Sequence, residues 1–184
     1  MGYAAQIWAP QSIELIVKFE RIQRRVTKFI LKLLYSSNIS NKSRLQTLNL
    51  IPICYWHELL DLTLFFKLTH GLVNVNSSVL PEVRKYSRRT RSSTSNVNKY
   101  IIKKCKTTTY QKSFLIRTSR IWNCLADELD LSPSTLASFK SVNFNYYKSA
   151  LAVSYDCEDP RSFKSICLKC NSVHPLSRPI TRCI

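Results

Sequence analysis

The chain has 184 residues, 45% of them apolar, which is enough for one packed domain with or without a tail. Its 28 Lys and Arg against 11 Asp and Glu leave a net charge of +17, so polyanions are the default partner. No apolar run approaches the ~20 residues that span a bilayer, which excludes a helical membrane protein.

Other exclusions follow from single residue types. Only two glycines, Gly2 and Gly71, occur, so there is no Gly-rich phosphate loop, and helices are favoured over tight β-turns. The seven cysteines are odd in number and no secretory leader precedes them, which argues against a disulfide scaffold. The opening "MGYAAQIWAP" is too short and uncharged for such a leader, and "GYAAQ" lacks the hydroxyl residue of a myristoylation motif. A soluble intracellular protein, nuclear or cytoplasmic, is expected.

The first long helix is predicted within "LIVKFERIQRRVTKFILKLL", residues 15 to 34, between stops at Pro10 and "YSSN". Leu15, Phe19, Ile22, Val26, Phe29 and Leu33 step by four and three, as an inward face does. At roughly 100° per residue, Arg21, Arg25, Lys28 and Lys32 fall in one sector beside that face, with Arg24 further out. A short helix is predicted in "SNKSRLQTLNL", capped by Ser40 or Asn41, with Leu45 and Leu48 inward. Pro52 then opens a third helix that is apolar nearly all round, including Trp56, Leu59, Leu60, Leu64, Phe66 and Leu68, and Gly71 sits where a left-handed cap belongs. His57 and His70 read as an edge residue and a last-turn polar residue of that helix.

Between Arg84 and Arg120 twelve basic residues occur without one acid: Arg84, Lys85, Arg88, Arg89, Arg91, Lys99, Lys103, Lys104, Lys106, Lys112, Arg117 and Arg120. Ordinary solvated surfaces mix their signs, so this run points to polyanion contact. Its first half is too polar to order itself and reads as a loop, while "KYIIKK" reads as a short strand. Helical patterning returns in "FLIRTSRIWNCLADEL", with Leu115, Thr118, Trp122 and Leu125 on one side. It resumes in "SPSTLASFKSVNFNYYKSAL", capped by Ser134, with Leu136, Phe139, Val142 and Tyr146 inward. Asp127, Glu128 and Asp130 read as surface charge.

Chemistry is sparse. Paired-metal phosphoryl transfer needs converging carboxylates, and no adjacent aspartates occur. Cys54 and His57 lie on one helical stretch with no elbow to expose a nucleophile, so no catalytic centre is predicted. In the tail, Cys167, Cys170, His174 and Cys183 have the residue types and a near-knuckle spacing for a structural zinc ion. Their last gap is long and contains Pro175 and Pro179, and the alternative is a frayed terminus with free thiols.

The order of these motifs resembles the part of non-LTR (LINE-type) retrotransposon reverse transcriptases that follows the palm. The resemblance runs over residues 3 to 140, from "YAAQIWAP" through "FERIQRR" (Phe19, Glu20, Ile22, Gln23, Arg24, Arg25) and "RLQTLNL" to "RIWNCLADEL" (Trp122, Asn123, Leu125), with Ala126 where that family has Pro. It implies a thumb whose helix lies along a primer-template duplex and holds it by phosphates rather than base edges. It also implies that the catalytic aspartates belong to a palm preceding this segment, so the chain alone is expected to be no enzyme.

The overall expectation is a mainly α protein. Residues 1–75 form a thumb-like helical bundle, 76–112 a basic loop, 113–155 a C-terminal helical segment and 156–184 a Cys/His tail. Its partners are RNA, DNA or an RNA/DNA hybrid, together with the missing palm, and no membrane. The alternative is a protein-interaction module or an inert truncated remnant.

Overall fold

A computed structural model of the protein describes residues 4–8, 12–34, 37–84, 99–126, 129, 131 and 135–154. It is mainly α. The helices are α1 (Ala5–Trp8), α2 (Ile13–Ile30), α3 (Asn41–Thr47), α4 (Ile53–Thr69), α5 (Thr108–Gln111), α6 (Phe114–Leu125) and α7 (Leu136–Ser154), with one 3-10 turn at Ser77–Val79. Extended pairing among the described residues is confined to an antiparallel bridge between Val83 and Tyr100. Two flanking bonds complete it, from Arg84 N–H to the Lys99 carbonyl at 2.7 Å and from Ile101 N–H to the Glu82 carbonyl at 2.8 Å. The strand expected in "KYIIKK" is therefore one bridging residue, Tyr100.

The chain divides into two compact units: Met1–Glu58 with Phe144–Ile184, and Leu59–Asn143. The division passes within α4 and within α7, whereas the segments read from composition end where the charge pattern changes.

In the first unit α2 begins at Ser12, whose hydroxyl accepts the Leu15 N–H. The face it buries is not the one its apolar spacing predicts. Ile16, Glu20 and Thr27 are buried, while of the six predicted inward residues Leu15, Ile22, Val26 and Phe29 are exposed, Phe29 to 84%, and Phe19 and Leu33 are half-buried. The reason lies in what the polar side chains do. The Glu20 carboxylate accepts the Cys54 N–H at 3.1 Å, the Gln23 side-chain amide donates to the Ile51 carbonyl at 2.9 Å, and Arg44 Nε donates to the Thr27 hydroxyl at 3.4 Å. Pro52 offers no side-chain acceptor to the start of α4, so Glu20 takes the capping role from a neighbouring helix, with its negative charge at the positive end of the dipole. These bonds orient α2, and the apolar stripe is left outside.

The short α3 is capped by Ser40 as expected, its hydroxyl accepting the Ser43 N–H, and Leu45 is buried. Arg44 is buried too and donates to the Ile39 carbonyl and to Asn41 Oδ1, tying the loop before α3 to α2. Later in the unit Tyr147 of α7 stacks on Tyr55 and its hydroxyl donates to Glu58 at 3.0 Å.

Three helices stop by one geometry. After α2, α3 and α4, the residues Lys32, Asn49 and Gly71 adopt φ of 49°, 54° and 66°, and the next residue's N–H reaches back to Lys28, Leu45 and Lys67. The Gly71 cap is as predicted; the other two ends use Lys and Asn because the chain has almost no glycine.

The core of the second unit is aromatic. Phe65 meets Tyr100 edge-on at 5.0 Å and Trp122 at 5.3 Å, and Phe139 stacks on Phe66 at 4.4 Å and on Trp122 at 5.8 Å. Asn123 holds both polar backbone groups of Tyr100, donating to its carbonyl and accepting its N–H, each at 2.8 Å. In α7 the N-cap is Thr135, whose hydroxyl accepts the Ser138 N–H. Phe139 is buried as expected, whereas Leu136 and Val142 are half-buried. Ser134, Asp127, Glu128 and Asp130 lie outside the described residues.

Candidate nucleic-acid interface

The outward face of α2 carries two adjacent strips. One is the apolar strip of Leu15, Ile22, Val26 and Phe29. The other consists of Lys18, Arg21 and Arg25, with Lys32 following two residues past the end of the helix; all four are exposed and none is in an ion pair among the described residues. Fixing the buried face at Ile16, Glu20 and Thr27 places this basic strip about 120 to 180° away on the helix wheel, so it points to solvent instead of bordering the core. Lys18 belongs to the strip although the heptad reading passed over it, because the reading assigned the outward side to the wrong flank.

Two sequence candidates sit differently. Lys28 is half-buried and already engaged within the chain. Arg24, expected furthest out, is half-buried on the inner flank, and its Nε is enclosed without a hydrogen-bond partner among the described residues. The spacing along α2 of 1.5 Å per residue puts Lys18, Arg21 and Arg25 on one side of the helix over roughly 10 Å, the scale of neighbouring phosphates along a duplex strand.

The basic run in the second unit is only partly a surface. Lys103, Lys104 and Lys106 are exposed on the extended stretch between the Tyr100 bridge and α5. Arg84 is exposed and engaged within the chain. Arg117 is a core residue: its Nε and Nη2 donate to Asp61 Oδ2 at 2.9 and 2.6 Å and its Nη1 donates to the Lys112 carbonyl. Burial raises the Asp61 carboxyl to about 6 against the opposing pull of Arg117. Of the twelve basic residues read as one polyanion-contacting run, Arg117 is thus a structural ion pair. Lys85, Arg88, Arg89 and Arg91 lie outside the described residues.

Neither Cys54 nor His57 is placed for chemistry. Both are buried, and burial followed by the nearby carboxylates Glu20 and Glu58 pushes the Cys54 thiol well above its usual range, which keeps it protonated and inert. His57, read as an edge residue, packs against Phe19, whereas His70 is exposed, stacks on Phe66 and bonds the Phe66 carbonyl at the end of α4, as a last-turn residue does. The zinc candidates Cys167, Cys170, His174 and Cys183 lie outside the described residues, and among the described ones no group of three or more His, Cys, Asp or Glu could hold a metal ion. Nor is any described helix long and apolar enough to cross a membrane.

Four of the residues that carry the resemblance, Glu20, Gln23, Trp122 and Asn123, are anchors. Glu20 and Gln23 hold the start of α4, Trp122 fills the aromatic core, and Asn123 fixes Tyr100. Comparison with protein-family models, with curated proteins and with solved structures gives no significant match.

Proposed function

We propose that the protein is a nucleic-acid-binding segment of a retrotransposon-type RNA-directed DNA polymerase, gripping a duplex through its phosphates and leaving catalysis to a palm on another part of the polymerase. The observation that carries the reading is the strip Lys18, Arg21 and Arg25, three cations turned to solvent on a helix whose register is held by buried bonds, with the exposed Lys32 just past its end. Exposed cations attract a phosphate backbone, and a row of them on one helix side reads backbone geometry without base sequence; Glu14, exposed one turn before Lys18, offsets part of that charge. The motif order from Tyr3 to Lys140 supports the same descent. Reversing Arg21, Arg25 and Lys32 to Glu should lower affinity for an RNA/DNA hybrid equally across unrelated sequences, measured by fluorescence anisotropy. Unchanged affinity in the triple variant would remove α2 from the interface.

A second reading, a protein-interaction module, is favoured by the exposed strip of Leu15, Ile22, Val26 and Phe29 beside the cations. An apolar strip of this kind is a surface for another protein, and in the polymerase reading that protein is the palm. The two readings use adjacent strips of one helix and separate by mutation: Phe29→Ser weakens protein docking and leaves duplex affinity in place.

A further inference from the structure

The second unit contains a cavity of about 380 Å³, within the range of small-ligand sites. Val79, Pro81, Ile101 and Leu115 give it apolar walls, Tyr110 forms an exposed aromatic side, and Lys103 stands on its lining, which includes no acidic side chain among the described residues. The first turn of α6 opens onto this cavity. Ser113, at the N-cap, leaves its hydroxyl unbonded to that turn, so the helix start has no side-chain cap. Ser119, one and a half turns further on, is only 2% exposed, lines the same cavity and has no side-chain hydrogen bond among the described residues. Two unused hydroxyls, an uncapped helix start and an ammonium group thus surround an apolar hollow.

From this arrangement we propose that the cavity receives one unpaired nucleotide of a single strand, with its base against Tyr110 and its phosphate between Lys103 and the start of α6. The inference rests on the nucleic-acid reading above and extends it from duplex to single-stranded contact. An apolar hollow with an aromatic side suits the face of a base, and the hydroxyls of Ser113 and Ser119 suit its polar edge. The uncapped N–H groups and Lys103 supply what a phosphate needs. Lys104 and Lys106, exposed on the same stretch as Lys103, continue the positive track for the neighbouring phosphates.

The test compares a short oligothymidylate, the same strand made abasic, and a blunt duplex, bound to wild type, Lys103→Gln and Tyr110→Ala, with thermal melting to show that the variants fold. Both changed residues are exposed, so neither variant should unfold the unit. The expected result for Tyr110→Ala is an affinity for oligothymidylate lower by about fivefold to a hundredfold, the range of one lost base stack, with duplex affinity unchanged. The abasic strand should bind wild type as weakly as oligothymidylate binds Tyr110→Ala, and Lys103→Gln should weaken both strands alike. A Tyr110→Ala variant that binds oligothymidylate like wild type, or loses duplex and single strand equally, would overturn the proposal while leaving the α2 interface standing. Absence of binding by wild type to any of the three probes would overturn the nucleic-acid reading and this proposal with it. Displacement of the strand by a fatty acid at concentrations where inorganic phosphate has no effect would assign the cavity to an acyl chain and overturn it too.

Discussion

Glu20 shows how one residue decides the orientation of a helix. A fully buried carboxylate is costly unless bonded, and this one accepts a backbone N–H at the start of α4, where helix geometry leaves donors unsatisfied. Replacing it with Ala should therefore destabilise the protein by about 2 kcal/mol, the scale of a hydrogen bond to a charged group, in chemical denaturation. Asp61 and Arg117 form the other buried electrostatic unit. Arg117 holds the carboxylate, but burial outweighs its pull. The pair also has a pH signature. Asp61 titrates near 6 in the folded chain and at 3.8 in its ordinary state, so its proton is taken up first by the folded form. Its contribution to stability is full below pH 3.8 and is lost as pH rises through 6. Wild type should accordingly gain stability relative to Asp61→Asn from pH 7 to pH 4 in chemical denaturation, and a relative loss would contradict the raised carboxyl.

At the scale of the element, α2 is where spacing and structure part. The four-and-three repeat of apolar residues is real, and so is the helix, but periodicity identifies a stripe without saying what covers it. Here polar bonds from Glu20, Gln23 and Thr27 claim the inner side. No single-residue preference announces that a Glu will cap a different helix 34 positions away. Helix starts were more legible. Ser40 was one of the two candidate caps and Gly71 the expected stop, because each acts within its own turn, and the cap of α7 is Thr135, one residue past the expected Ser134. The rotated face of α2 has a direct consequence for stability. Ile16→Ala should cost about 2 to 5 kcal/mol as a core truncation, while Ile22→Ser and Phe29→Ser should stay within about 0.5 kcal/mol of wild type in thermal or denaturant unfolding. The reverse pattern would restore the heptad face to the core.

For the whole molecule, the mainly α character was readable from the near absence of glycine and from the long helical repeats, and the structure has it. The charge excess was equally plain, but its distribution was not. An uninterrupted run of basic residues gave no sign that Arg117 would be buried against Asp61, since that pairing spans 56 positions. Conversely Lys18, outside any conspicuous cluster, joins the solvent strip of α2. Charge counted along the chain measures how strongly a polyanion is attracted, and only the fold says which cations remain to meet it.

The most direct measurement of the central claim is the salt dependence of binding to a B-form duplex, for wild type and for the variant with Arg21, Arg25 and Lys32 changed to Glu. If three phosphates are neutralised by these side chains, the slope of log affinity against log salt should be shallower in the variant by about 2.7, at 0.9 per contact. The loss should be the same for unrelated duplex sequences. Parallel salt slopes for the two proteins would contradict the account, because the solvent strip of α2 would then touch no phosphate.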